Sequence, residues 1–309
     1  MASLWALGNL GWRKLAKRVW KEVQEDEIFG RAAELSYYFL LALFPFLIFL
    51  TSVIGVMLGS ETSTRQTLFE YLARVMPPSA FQLIRTTMME VSTASGGGKI
   101  SFGILAALWA ASNGMTAITG SLNKAYDLEE TRAWWKQRLV AITLTMALSV
   151  LIISSLILVV AGGWIAEWLA AHFALGSTFP AAWKIIQWPV VLFCIMLAFA
   201  LIYYFAPDTR EQKWSWLTPG AAIGVALWLL VSIGFRVYLN FFDSYSATYG
   251  SLGAVIILML WLYFTGAAVL IGGEINSEIE HAAAEHGEPD AKEKGEKAPG
   301  EKHGAVQAA

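Results

Sequence analysis

The sequence predicts an all-α fold of the membrane class: a polytopic helix bundle with six transmembrane helices, an N-terminal amphipathic helix and an extracytoplasmic helical hairpin. Three observations predict it. Of the 309 residues only 15% are charged, against 56% hydrophobic, and the mean hydropathy is +0.52. A soluble domain carries about 25% charged residues, so lipid must cover part of this surface. The apolar residues are gathered into long continuous runs, and crossing a hydrocarbon core of ~30 Å takes ~20 such residues in a helix. The basic residues then fall unevenly between those runs, as the positive-inside rule requires of a multi-pass protein.

Taken in order, the first element is GWRKLAKRVWKEVQED. Trp12, Leu15, Ala16, Val19, Trp20 and Val23 follow helical spacing, with Arg13, Lys14, Lys17, Arg18 and Lys21 opposite. A basic amphipathic helix of this kind lies in an anionic inner leaflet or docks against the bundle. Six apolar runs follow, at about 35–58, 100–122, 139–161, 185–206, 217–239 and 252–273. They are continuous rather than alternating, which excludes barrel strands of ~10 residues. The run at 100–122 is the weakest, and it carries a polar stripe of Ser112, Thr116, Thr119 and Asn123, with Asn113 and Gly120 beside it. Lipid cannot satisfy those groups, so the stripe faces another span or a wet cavity. Between runs one and two, Leu68, Tyr71, Leu72 and Val75 make one helical stripe, which Pro77-Pro78 breaks. Phe81, Ile84, Met88 and Val91 make a second stripe, ended by Gly96-Gly97-Gly98. Pro45 and Pro189 should kink the first and fourth spans, and Gly220 and Gly224 should let the fifth approach a neighbour closely.

Arg13, Lys14, Lys17, Arg18, Lys21 and Arg31 precede the first run, Lys124, Arg132, Lys136 and Arg138 follow the second, and Arg210 and Lys213 follow the fourth. The opposite side holds only Arg65, Arg74, Arg85, Lys99 and Lys184. Both termini are therefore expected in the cytoplasm. Met1 to Leu10 lack the pattern of a removable signal peptide. Residues 1–280 are expected to form a single membrane domain, and 281–309 a disordered cytoplasmic tail almost without large apolar residues. The lone Cys194 excludes an intrachain disulfide.

No phosphate-binding loop, zinc pair or clustered metal ligands occur, and of the four histidines only His172 lies away from the tail. Catalytic residues, cofactors and metals are accordingly expected to be absent, and nucleic acid is not an expected partner.

Four strings carry a resemblance. They are AAELSYYFLLALFPFLIFL in the first run, NKAYDLEETRAWWKQR after the second, SYSATYGSLGAVIILMLWLY around the sixth, and GGEINSEIE at its end. In this order, with six spans, they resemble the YihY/virulence factor BrkB family of bacterial inner-membrane proteins over roughly 19–280. The resemblance implies a six-helix bundle of the bacterial inner membrane and no established reaction. Members are linked to resistance to serum killing, and some are connected with envelope lipids, including lipopolysaccharide transport. Others carried a ribonuclease label, for which this sequence lacks the metal ligands.

The matched residues gather at the two ends of the spans. On the inner side are Arg31, Glu34, Tyr37 and Tyr38, then Asn123, Tyr126, Asp127, Glu129, Glu130 and Arg132, then Glu274 and Asn276. They either anchor the interface or form a polar site for a headgroup or ion. On the outer side are Arg236, Asn240, Asp243, Ser244, Tyr245, Thr248 and Tyr249. Arg236 either snorkels outward or meets Asp243 or an anionic phosphate. The candidate substrate-binding set is thus Glu34, Tyr37, Ser112, Asn113, Thr116, Thr119, Asn123, Asp127, Arg132, Arg236, Asp243, Tyr249 and Glu274, with Arg236 and the Ser112–Thr119 stripe expected to share one polar interior. The function expected is the handling or transport of an amphipathic envelope molecule such as an anionic lipid. The alternative is a non-transporting envelope scaffold, with a membrane-embedded enzyme third. Partners expected are membrane lipids, anionic inner-leaflet lipids through the N-terminal helix, and a second copy or an envelope protein.

Overall fold

The computed structural model describes residues 10–58, 97–173, 176, 178–209, 218–241 and 251–286. Its elements among the described residues are all helical: α1 Trp12–Glu25, α2 Ile28–Leu58, α3 Gly97–Ala125, α4 Trp134–Phe173, α5 Thr178–Phe205, α6 Pro219–Phe241 and α7 Ser251–Glu285. Four segments are long and apolar enough to cross a membrane: Trp134–Val159, Thr178–Phe205, Pro219–Tyr238 and Val255–Glu285. The runs at 35–58 and 100–122 fall in the continuous helices α2 and α3, of 31 and 29 residues. The outer hairpin expected around 60–98 lies outside the described residues except at its end. There α3 already begins at Gly97, inside the glycine run expected to end the second stripe. Pro45 and Pro189 sit within α2 and α5; each removes one backbone donor without ending its helix.

The chain divides into two compact units. The first comprises Met1–Leu40, Gly114–Leu144 and Phe199–Ala309, and α7 is its centre. From Ala267 to Val269 and again through Gly272, Glu274 and Asn276 to Ile279, α7 is buried on every face. Small residues make that possible by letting partners approach. A Cβ on Gly266 would lie 3.3 Å from Leu35 of α2, and one on Gly273 would lie 2.7 Å from Leu122 of α3. On Gly272 a Cβ would strike the hydroxyl of Tyr203 in α5. Helix α6 runs antiparallel to α7: Gly220 meets Gly272 at one end, while Trp261 donates to Ser232 Oγ at 3.3 Å further along. The Gly220/Gly224 pair thus does what its spacing predicts, since Gly224 receives Tyr203 and Phe199 as Gly220 receives the α7 backbone.

Helix α1 settles against α7. Leu15, Val19 and Val23 are buried, and Arg18 makes a two-pronged bond to Glu285, 3.0 and 2.7 Å, with Glu278 at 4.0 Å. The last helix therefore runs past position 281, where the tail was expected to begin. Helix α7 continues to Glu285 with His281 and Ala282 buried, because alanines on its last turns give α1 a close surface and Arg18 ties the end down.

The second unit comprises Leu41–Asn113 and Thr145–Ala198. Within it Gly162 of α4 receives Gln187 and Trp183 of α5, and Trp168 stacks on His172 at 4.1 Å between centroids.

Candidate functional site

The polar residues of the first unit form three connected groups. The first closes the turn from α3 into α4. Leu128 N–H donates to Asn123 C=O at 2.7 Å and Asp127 N–H to Lys124 C=O at 2.9 Å, the two bonds of a Schellman ending. Asp127 takes the left-handed position with φ 52°, which a short polar side chain tolerates better than most. The chain then returns so that Arg132 clamps Glu130 through two parallel bonds, Nε to Oε1 at 2.7 Å and Nη2 to Oε2 at 2.8 Å. Arg132 also donates to the Ala206 carbonyl at 2.8 Å, capping the end of α5. Asn123 donates to Glu130 at 2.8 Å and accepts from Asp208 N–H at 2.8 Å. Asp208 in turn accepts from Thr131 N–H at 2.8 Å and its hydroxyl at 2.6 Å. Hydrogen bonding to Glu130 holds the Arg132 guanidinium above its ordinary value against partial burial. Charge-assisted, bidentate and internally complete, this network is built to hold a turn.

The second group starts α6. Thr218 is its N-cap: the hydroxyl accepts from Ala221 N–H at 3.0 Å, and Pro219 occupies the first helical position, where its missing donor costs nothing. Asn276 of α7 completes the end, accepting from Gly220 N–H at 2.9 Å and donating to Thr218 Oγ1 at 3.0 Å. Tyr203 donates to the Val269 carbonyl at 2.8 Å.

The third group is acidic. Asp26, at the end of α1, binds Lys124 at 3.1 Å, and Glu274 lies buried against it, with Glu22 and Asp127 the next carboxylates. Tyr126 is enclosed beside them, and burial raises its phenol well above the ordinary value.

The expected site residues disperse among these settings. Asn123, Asp127, Arg132 and Glu274 come together at one end of the first unit. Of the stripe, Ser112 and Thr119 are fully buried, and each hydroxyl donates to its own helix, to Trp109 C=O at 2.8 Å and Met115 C=O at 3.0 Å. Thr116 is half-buried, whereas Asn113, in the second unit with Ser112, is exposed. Glu34, Tyr37 and Arg236 are exposed, and Asp243 and Tyr249 lie outside the described residues. Sequence reasoning missed Asp26, Tyr203, Asp208 and Thr218. Of these only Thr218 had a local signal, the Thr-Pro-Gly opening of a helix. Among the described residues no three acidic, histidine or cysteine side chains converge as a metal site would require.

Similarity to known proteins covers nearly the whole of this architecture. The family model described as virulence factor BrkB matches residues 19–297. The ribonuclease-like protein YfkH of Bacillus subtilis is 38% identical over 248 residues, covering 80% of this chain and 88% of that protein. A UPF0761 membrane protein of Stenotrophomonas maltophilia is 26% identical and one of Xanthomonas oryzae 24%, each over 84% of this chain. The chain spans only 59% of the length of those two relatives. No solved structure matches the chain.

Proposed function

The chain belongs to the virulence factor BrkB family of membrane proteins, and on that premise we propose that it is a six-span inner-membrane protein that engages an anionic envelope lipid at its cytoplasmic face. The observation that carries this reading is the division of α1. Its Leu15, Val19 and Val23 are spent on α7, yet Trp12 and Trp20 are 59% and 61% exposed, and Arg13, Lys14, Lys17 and Lys21 are exposed beside them. Tryptophans flanked by cations suit the boundary of an anionic leaflet, where each basic residue is worth ~1 kcal/mol. The full-length protein in mixed vesicles should retain anionic over zwitterionic lipid. Replacing Arg13, Lys14, Lys17 and Lys21 together with glutamine should abolish that preference, and lipid selection unchanged in the variant would reject it.

The spans at 35–58 and 100–122 and the cytoplasmic position of both termini are part of the same proposal. In a Cys194→Ser background, cysteines at Ser63 and Ser246 should react with an impermeant thiol reagent added outside intact cells, and those at Ser3 and Glu301 should not. Outside labelling at Glu301 would invert the topology.

A second reading, a scaffold that moves no lipid, draws on the Arg132 network and on the hydroxyls that Ser112 and Thr119 turn back onto their own helix. It separates from transport by one measurement. Vesicles holding the protein should exchange labelled anionic lipid between leaflets faster than protein-free vesicles if it transports, and at the same rate if it is a scaffold.

A further inference from the structure

We propose that Asp26 and Glu274 form a proton-binding site, a carboxyl pair that holds one proton between the end of α1 and the centre of α7. This inference is independent of the lipid reading. Glu274 is 1% exposed and Asp26 5%, and Asp26 is the first of the charged neighbours of Glu274. Each has a buried oxygen, Oε1 of Glu274 and Oδ2 of Asp26, with no hydrogen-bond partner among the described residues. A carboxylate only accepts, so two ionised groups here would leave two orphan acceptors and two like charges in a buried setting, each of which is costly. One proton resolves both problems, because the acid O–H of one group donates to the other and a single negative charge remains.

The groups around the pair are mostly acidic, which favours a bound proton over a second negative charge. From α1 come Glu22 and Asp26; from the end of α3 come Lys124, Tyr126 and Asp127; on α7 itself lie Glu278, His281 and Glu280. Lys124 binds Asp26 Oδ1 at 3.1 Å, which accounts for the one charge the protonated pair retains. His281 Nδ1 lies 3.6 Å from Glu278, beyond hydrogen-bond reach, and Arg18 approaches the same carboxylate at 4.0 Å. A metal ion fits less well, since a hard cation takes six or more oxygen ligands and no three suitable side chains converge among the described residues.

The pair joins α1 to α7, so proton binding and the seating of α1 are linked. A proton held only in the seated form stabilises that form at low pH, and the stabilisation is lost as pH rises through the midpoint of the pair. The test uses the full chain in lipid nanodiscs, titrated with pH and followed by infrared difference spectroscopy. Wild type should show a protonated-carboxyl band at neutral pH that shifts on 13C-glutamate labelling and disappears in alkali. Glu274→Gln should remove it, and Asp26→Asn should move its midpoint to lower pH. In a Cys194→Ser background, a cysteine replacing Val19 should become reactive as the band is lost, and Glu274→Gln should keep it covered. If Glu274→Gln does not accumulate, the labelled wild-type titration and Asp26→Asn decide the matter alone. A wild-type spectrum without a glutamate-derived band at neutral pH would overturn the site. So would a carboxylate signal that follows sodium, potassium or calcium instead of pH, which would make this a cation site.

Discussion

Gly220→Ala is expected to lower the stability of the folded protein by about 3 kcal/mol, near the upper end of the usual cost of overpacking, and to reduce its membrane abundance. A Cβ at Gly220 would collide with the backbone carbonyl of Gly272 and come within 2.5 Å of the Asn276 side chain. A carbonyl cannot rotate away as the end of a flexible side chain can. The helices would have to part, and parting loses the bond from Gly220 N–H to Asn276 with its link to Thr218. Gly234 on the same helix supplies the control, because a Cβ there meets nothing within 4 Å among the described residues. Gly234→Ala should raise stability by roughly 0.5–1 kcal/mol through helix propensity. Thermal unfolding of the two purified variants checks the pair, and equal midpoints would mean that α6 and α7 do not pack at these glycines.

Arg132→Ala is expected to cost about 2 kcal/mol, less than the ~3–5 kcal/mol for breaking a fully buried ion pair, since the pair is only part-buried, with side chains 15% and 24% exposed. The change strips Glu130 of both prongs and leaves the Ala206 carbonyl without its donor. Arg132→Lys should recover only part of the loss, because an ammonium cannot reproduce the planar fork. Adding Glu130→Ala to Arg132→Ala should cost less than the two single changes summed. Limited proteolysis and thermal unfolding read these differences. Full stability combined with a lost envelope phenotype would instead place Arg132 in a ligand site.

The helical class and much of the span positions were legible because long apolar runs need no knowledge of partners. The Gly220/Gly224 spacing was legible for a related reason: closeness is written into the absence of a side chain. The stripe on α3 shows where such reading stops. Ser112 and Thr119 sit on the inward face as their spacing implies, but spacing does not say whether a hydroxyl faces a cavity or its own backbone. Helix α1 shows another limit. Its six apolar residues form one stripe in the sequence, and the structure buries only Leu15, Val19 and Val23 of them, because the width of the covering helix sets how much is hidden. Glu274 stood out as a charge at the end of an apolar run, whereas its partner Asp26 could not be found by any local rule. Their meeting depends on α1 folding back along the last helix.

That return has a consequence for how the chain is made. Arg18 and Glu285 are 267 positions apart, and at the usual ~5–20 residues per second of synthesis the first waits on the order of 10–50 s for the second. Throughout that interval Leu15, Val19 and Val23 have no helix to cover them. A membrane surface can shelter such a segment, with Trp12 and Trp20 at the boundary and the basic residues toward the headgroups. The side chains that face outward in the finished protein are the ones such a surface would hold while the chain is unfinished. A chain stopped short of Glu278 would lack both carboxylates that Arg18 meets, Glu278 and Glu285.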